Sequence, residues 1–248
     1  MLIMLDGIDG SGKSTVIHAW KKHLTDQGNA IFDLTEYWKT RGAYPDFSEL
    51  TKYDFIFSSE PTYVGVGKVI REELIKNQPP SPLRGRARER VYSPRAIAEA
   101  YSLDRLILYA KIIIPALRGG KCVIQDRGVS TSLCYQPLMD KKITAAFLSE
   151  LPGNALALKF RPDHLILLSI DPEIALSRLR QRTNKQDNVI FERLAFQKKI
   201  ARVFASPSYR QLFERYGTKV DYLPAKEKIG IMNQAASALL NKILILHS

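Results

Sequence analysis

The segment Gly7-Ile8-Asp9-Gly10-Ser11-Gly12-Lys13-Ser14 constrains this chain more than any other feature. It follows an apolar run, Met1–Leu5, that reads as a buried strand. It precedes apolar residues at Val16, Ile17, Trp20 and Leu24, the spacing of one helix face, which Gly28 can terminate. Two glycines framing a loop that closes on Lys-Ser form a phosphate cradle, and that cradle works only between a strand and a helix. Glycine allows positive φ and close backbone approach. Successive N–H groups and the positive end of the following helix then face the anion. Lys13 supplies charge to the β- and γ-phosphates, and the Ser14 hydroxyl suits Mg2+. The loop from Gly7 to Thr15 is therefore expected to bind a nucleoside triphosphate.

Beyond the loop, short apolar runs alternate with longer amphipathic stretches. Ala30–Leu34, Lys121–Gln125, His164–Ile170 and Val220–Leu223 read as strands, with Tyr53–Phe57 a competing or additional one. Ser93-Pro94 opens a helix running towards Pro115, Asp171-Pro172-Glu173 opens another, and Ile231–Leu246 closes the chain. This rhythm predicts an α/β, three-layer P-loop fold: a central parallel sheet flanked by helices, in a single domain over 1–248. Gly65-Val66-Gly67-Lys68 lacks a preceding strand and reads as a turn before a helix. Two segments interrupt the rhythm and read as insertions. Residues 35–52 are mixed aromatic and polar. Residues 77–92 carry Pro79, Pro80 and Pro82, then Arg84, Arg86, Arg88 and Arg90, the composition of a solvated linker or of a polyanion contact.

Apolar residues make up 45% of the chain and charged ones 25%, which excludes a disordered or fibrous protein. The apolar run Ile112–Leu117 is far short of the roughly 20 residues a membrane span needs. Asp6 comes too early for a signal peptide, and Cys122 and Cys134 make no disulfide framework or metal spacing, so a cytoplasmic location is expected. The four histidines form no recognisable set. Thirty-seven Lys and Arg against 25 Asp and Glu leave +12, a field that favours anionic partners.

The remaining motifs carry a family resemblance. Gly7–Thr15, with an acidic Asp9 inside the loop, resembles the opening of thymidylate kinases. Glu60-Pro61 followed by Gly67, Ile70 and Arg71 resembles their Glu-Pro segment and its continuation. Tyr101-Ser102-Leu103-Asp104-Arg105 is similar to their aromatic-x-x-Asp-Arg helix. Val123–Arg127 with Ser130, Ser132, Tyr135 and Gln136 is similar to their Asp-Arg strand end and the helix after it. Asp171–Glu173, Ala175, Leu176, Arg178, Arg180 and Arg182 resemble the approach to a lid at about 180–192. Phe191-Glu192, Phe196, Ile200 and Phe204 fit the segment beyond it. Three places depart from the family: Thr62-Tyr63-Val64 replaces Gly-Gly-Thr, Gly128 stands where an aromatic or histidine is usual, and Val189-Ile190 replaces an acidic-Arg pair.

The resemblance implies transfer of the ATP γ-phosphoryl to dTMP with Mg2+, in a homodimer. Lys13, Asp9, Arg127, Arg178 and Arg182 are its catalytic candidates. Glu60, Arg71, Tyr101, Arg105, Asp126, Arg127, Ser132 and Tyr135 are its substrate-binding set, and Ser14 and Asp126 its metal ligands. Within that set Arg127 grips the acceptor phosphate and Glu60 holds that arginine or the metal. Tyr101 stacks on the base, Arg105 meets its carbonyl edge, and Tyr135 crowds a ribose 2′-hydroxyl. Each has a bland counterpart: a strand-end salt bridge, a core aromatic beside a snorkelling arginine, or a basic helix end stabilised by its dipole. For the dimer, Ile107, Leu108, Ile112, Ile113 and Ile114 offer more apolar surface than one sheet-facing stripe requires. The alternatives are a kinase for another nucleotide or deoxynucleoside, and a non-catalytic NTP-binding module that meets nucleic acid through its basic surface.

Overall fold

The computed structural model describes residues 1–75, 92–181 and 194–247. The arginines at 84–90, Arg182, and Phe191-Glu192 with most of the expected lid lie outside the described residues. The first half runs β1 (Leu2–Gly7), α1 (Lys13–Asp26), β2 (Ile31–Asp33), α2 (Leu34–Arg41), α3 (Phe47–Leu50), β3 (Phe55–Ser59), α4 (Gly65–Val69, continued by a π turn), α5 (Pro94–Leu108), α6 (Ile114–Arg118) and β4 (Cys122–Asp126). It continues with α7 (Val129–Met139), α8 (Ala145–Glu150), α9 (Pro152–Lys159), β5 (His164–Ser169), α10 (Pro172–Arg180), α11 (Leu194–Phe204), α12 (Pro207–Glu214), β6 (Lys219–Pro224) and α13 (Ile229–Ile245).

The six strands form one parallel sheet in the order β2-β3-β4-β1-β5-β6. β1 lies inside it, with Ile3 opposite both Ile124 and His164. Side chains alternate across a strand, and β1 uses both faces. Leu2 and Met4 enter a core shared with α5 and α7, while Ile3 and Leu5 enter one shared with α1 and α13. That two-sided burial explains the unbroken apolar run ahead of the phosphate loop. Parallel strands bring their carboxyl ends to one edge, so Gly7, Ser59 and Asp126 gather there.

Local capping chemistry places several helix starts. The Ser93 hydroxyl accepts from the Ala96 N–H, the Asp171 carboxylate from the Glu173 N–H, and each is followed by a proline. Other expectations are corrected. Leu34 leaves the strand at Asp33, whose carboxylate caps α2 by accepting from Thr35 and Glu36 N–H. Residues 35–52 are largely helical, and Tyr53–Phe57 contributes a true additional strand, shifted to Phe55–Ser59. Gly65–Val69 is already helix, and Gly67 within it packs closely on Thr62: an added Cβ would lie 2.3 Å from the Thr62 hydroxyl. The helix from Pro94 passes Pro115 through a π turn at Tyr109–Ile113, a widened turn that absorbs a residue lacking its N–H. Leu108, Ile112, Ile113 and Ile114 are buried within the chain itself, so they do not form the surplus surface expected of a dimer face. At the sheet edge away from the phosphate loop, His164 and His247 meet through their Nε2 atoms at 3.1 Å. Among the described residues no group of three ligating side chains converges, and no helix is long and apolar enough to cross a membrane.

Candidate active site

The phosphate loop owes its shape to glycines at positive φ. Gly10 has φ +80°, and an added Cβ would lie 2.2 Å from the Ala175 carbonyl of α10. Gly12, at φ +98°, precedes the first turn of α1. Lys13 folds back over the loop. Its Nζ donates to the carbonyls of Gly7 (3.0 Å) and Ile8 (2.9 Å), with the Ser11 hydroxyl at 3.4 Å. Burial, with Arg127 adding repulsion, brings the Lys13 ammonium down to about 8. The Ser14 hydroxyl belongs to an exposed residue at the same helix start.

A cleft of about 600 Å3 opens beside this loop. It brings together Asp9, Ser14, Glu60, Arg71, Tyr101, Arg105, Asp126, Arg127, Ser132 and Tyr135, residues drawn from six different stretches of sequence. Arg127, at φ +66°, turns back across the loop. It pairs with Asp9 and with Asp6 (3.3 Å). Burial works against its charge, yet Asp9 and Asp6 outweigh it and hold the guanidinium above its ordinary value. Asp6 is a site residue that the sequence reading passed over. It is fully buried and accepts from Thr131 Oγ1 (2.6 Å) and the Gly7 N–H (2.7 Å), besides Ser130. A carboxylate ending an apolar strand just before the loop was the available signal.

Glu60 does not hold Arg127, contrary to expectation. Its two oxygens accept from Arg105 Nη2 (2.6 Å) and Gln125 Nε2 (2.7 Å). β3 and β4 are neighbours and α5 covers them, so Arg105 and Gln125 are the groups within reach. Burial pushes Glu60 up to about 7, against the pull of Arg105. Arg105 is 1% exposed and also donates to Ser132 Oγ (3.1 Å) and to Asn154. Its Nε–H is buried without an acceptor among the described residues. Tyr101 lines the same wall, its phenol pushed up to about 12 by burial. Arg71 spans the carbonyls of Pro61 and Thr62 and stacks 3.8 Å over the Tyr63 ring. The departure at Thr62 is absorbed by Asp104, which accepts from the Thr62 N–H (2.8 Å) and hydroxyl (2.6 Å). Gly128 lies close to Met4: an added Cβ would be 2.4 Å from the Met4 methyl, so any larger residue there requires the Met4 side chain to move.

Two further placements change the picture. α2, from the segment expected to be an insertion, contributes Thr35 and Lys39 to the cleft wall. Arg178 stands outside the cleft. It donates to the Ala225 carbonyl (2.8 Å) and, more loosely, to those of Lys226 and Glu227, which ties α10 to the turn before α13.

Asp126 and Ser14 are suitable oxygen donors for a hard divalent cation. Asp126 Oδ1 is buried with no hydrogen-bond partner among the described residues, and burial raises its carboxyl. An orphaned carboxylate oxygen beside the phosphate loop is consistent with a bound Mg2+. Chemically, the arrangement couples a polyphosphate cradle to a wall with a buried guanidinium and an aromatic face, separated by a second arginine.

A family model described as thymidylate kinase matches residues 46–234, beginning downstream of the phosphate loop and so independently of it. The chain is 31% identical over 217 residues to a probable thymidylate kinase of Thermococcus onnurineus, covering 87% of this chain and 85% of that one. It is 28% identical over 245 residues to a probable thymidylate kinase of Thermococcus kodakarensis, covering 98% of each. It is 25% identical over 230 residues to a thymidylate kinase of Clostridium novyi, covering 92% and 91%.

Proposed function

This chain belongs to the thymidylate kinase family, and from that premise we infer that it transfers the γ-phosphoryl group of ATP to dTMP, giving dTDP and ADP. An oxygen of the acceptor phosphate attacks the γ-phosphorus as the bond to the β-phosphate oxygen breaks. No covalent enzyme intermediate is involved, so catalysis is positioning and electrostatics. Lys13 leaves the Gly7 and Ile8 carbonyls for the phosphates. Arg127, held by Asp6 and Asp9 at the loop, grips the acceptor phosphate between the two subsites. Ser14 and Asp126 would hold Mg2+, which would supply charge neutralisation for the phosphates. We read the chain as one domain, 1–248, with 35–52 and 77–92 as insertions. The family resemblance assigns the lid to about 180–192, and with it to Arg182 the role of meeting charge that develops during transfer.

The observation that carries the acceptor assignment is Arg105: buried, lining the cleft, fixed by Glu60 and Ser132, and retaining an Nε–H that no group among the described residues accepts. A pyrimidine carbonyl such as thymine O4 completes it, with the base on Tyr101 and the sugar near Tyr135. Cytosine presents an amino group there instead. Two facing donors cost about 1–3 kcal/mol, or about 5- to 150-fold. A panel of monophosphates in a coupled ADP-release assay is expected to rank dTMP above dUMP, and both well above dCMP, dGMP and UMP. Arg105→Ala is expected to erode the preference over dCMP, and Tyr135→Ala the preference for deoxyribose. If dGMP or CMP is the best acceptor, the thymidylate reading falls.

The basic charge serves anionic nucleotides rather than nucleic acid. A cytoplasmic location belongs to the same reading, supported by the free thiols of Cys122 and Cys134. A homodimer is proposed on the family resemblance and on Leu103, 47% exposed on α5. Light scattering is expected to give twice the chain mass at micromolar concentration; a monomer mass removes the proposal.

A further inference from the structure

The base-reading arginine has an anchor that lies outside every recognised motif. Asn154, in the first turn of α9, is 1% exposed, and its Oδ1 accepts from Arg105 Nη1. The orientation of its amide is set from the other side, where Nδ2 donates to the Leu148 carbonyl at 2.7 Å. An amide turned the other way would put a donor against Arg105 and an acceptor against a carbonyl, so only one orientation fits. The neighbouring residue brings α9 this close. Gly153 packs so tightly on α5 that an added Cβ would lie 1.8 Å from the Ser102 carbonyl, and its N–H donates to Ser102 Oγ at 2.9 Å. Ser102 and Arg105 are three residues apart on α5, hence on one face. Gly153 and Asn154 therefore grip that face at two successive points.

The guanidinium is thus held at three corners. Glu60 and Ser132 take both protons of Nη2, and Asn154 takes one of Nη1. Two contacts at Nη2 leave the plane free to rock about that nitrogen; the third removes the freedom and fixes where the unpaired Nε–H lies. We propose that Asn154 is a positioning residue for acceptor-base recognition, acting through Arg105 without touching the nucleotide. The proposal rests on the reading of Arg105 as the group that meets the base carbonyl.

Asn154→Leu keeps the branching of the side chain, adds volume and removes both hydrogen bonds, and Asn154→Ser is a smaller change less disruptive to folding. Asn154→Asp, protonated towards the Leu148 carbonyl, restores both contacts. The KM for dTMP is expected to rise about tenfold or more in the first two variants, the loss of a hydrogen bond to a charged group. Their kcat and their KM for ATP should stay within about twofold, and their preference for dTMP over dCMP should shrink. Asn154→Asp should recover both the KM and the preference. Unchanged KM and preference in Asn154→Ser would overturn the proposal, as would a loss of kcat on every acceptor in step with a lowered Tm. If the unsubstituted protein itself does not prefer dTMP to dCMP, the reading of Arg105 fails instead, an outcome the same assay separates.

Discussion

Lys13→Ala is expected to lower kcat by a factor of about 10²–10³ or more, the usual cost of removing a charge that stabilises the transition state. The fold should survive. Lys13 belongs to neither core cluster, and what its ammonium touches is the loop's own carbonyls and a hydroxyl. Circular dichroism should be unchanged and Tm shifted by only a few degrees. The unsubstituted protein should show a paired pH signature. With the ammonium brought down to about 8 from 10.5, kcat/KM for ATP should decline above about pH 8 as the free enzyme loses that proton. Stability should move the other way. Between about pH 8 and 10.5 the unfolded chain holds a proton on Lys13 that the folded chain has released, so this residue's contribution to stability rises with pH across that window. Lys13→Ala should remove both slopes. Near-normal turnover in the variant would remove the phosphate-loop assignment.

Arg127→Ala should act on the other substrate. Losing one partner of a desolvated, hydrogen-bonded charge pair costs about 2–5 kcal/mol, so the KM for the acceptor monophosphate should rise about 30-fold or more. The KM for ATP should change by less than about threefold. Asp6 keeps its Ser130, Thr131 and Gly7 donors, and Asp9 is partly exposed, so neither carboxylate is stranded and the chain should still fold. Arg127→Lys should not restore binding, because one ammonium cannot span Asp6 and Asp9 as a planar guanidinium does. A variant in which ATP affinity alone falls would show that the donor and acceptor subsites have been exchanged.

Much of this molecule was legible in its sequence, and the legible part is local. Glycine spacing announced the phosphate loop because positive φ at Gly10 and Gly12 is a property of single residues. Ser93-Pro94 and Asp171-Pro172 announced helices because a cap bonds within three residues of itself. The unbroken run Met1–Leu5 announced a buried strand, which the structure sets at Leu2–Gly7. The order Glu60, Arg105, Arg127 along the chain carried the resemblance that named the substrate.

What the sequence did not contain was who would meet whom. Glu60, expected to hold Arg127 or the metal, pairs with Arg105, because β3 and β4 pair side by side and α5 lies over them. Asp6 and Arg127 are 121 residues apart and meet only because β4 lies against β1. Asn154 reaches Arg105 only because a glycine lets α9 seat on α5. Residues 35–52 read as an insertion, and only the fold sets α2 against the cleft through Thr35 and Lys39. Leu108 and Ile112–Ile114 looked like an interface and are core. Periodicity along a chain states which residues share a face; it does not state what covers that face. The neighbour is chosen by the order of strands in the sheet and the packing of helices across it. Hydrogen bonds are strongest within about 3.2 Å and weaken steeply beyond it, so that choice of neighbours decided the chemistry.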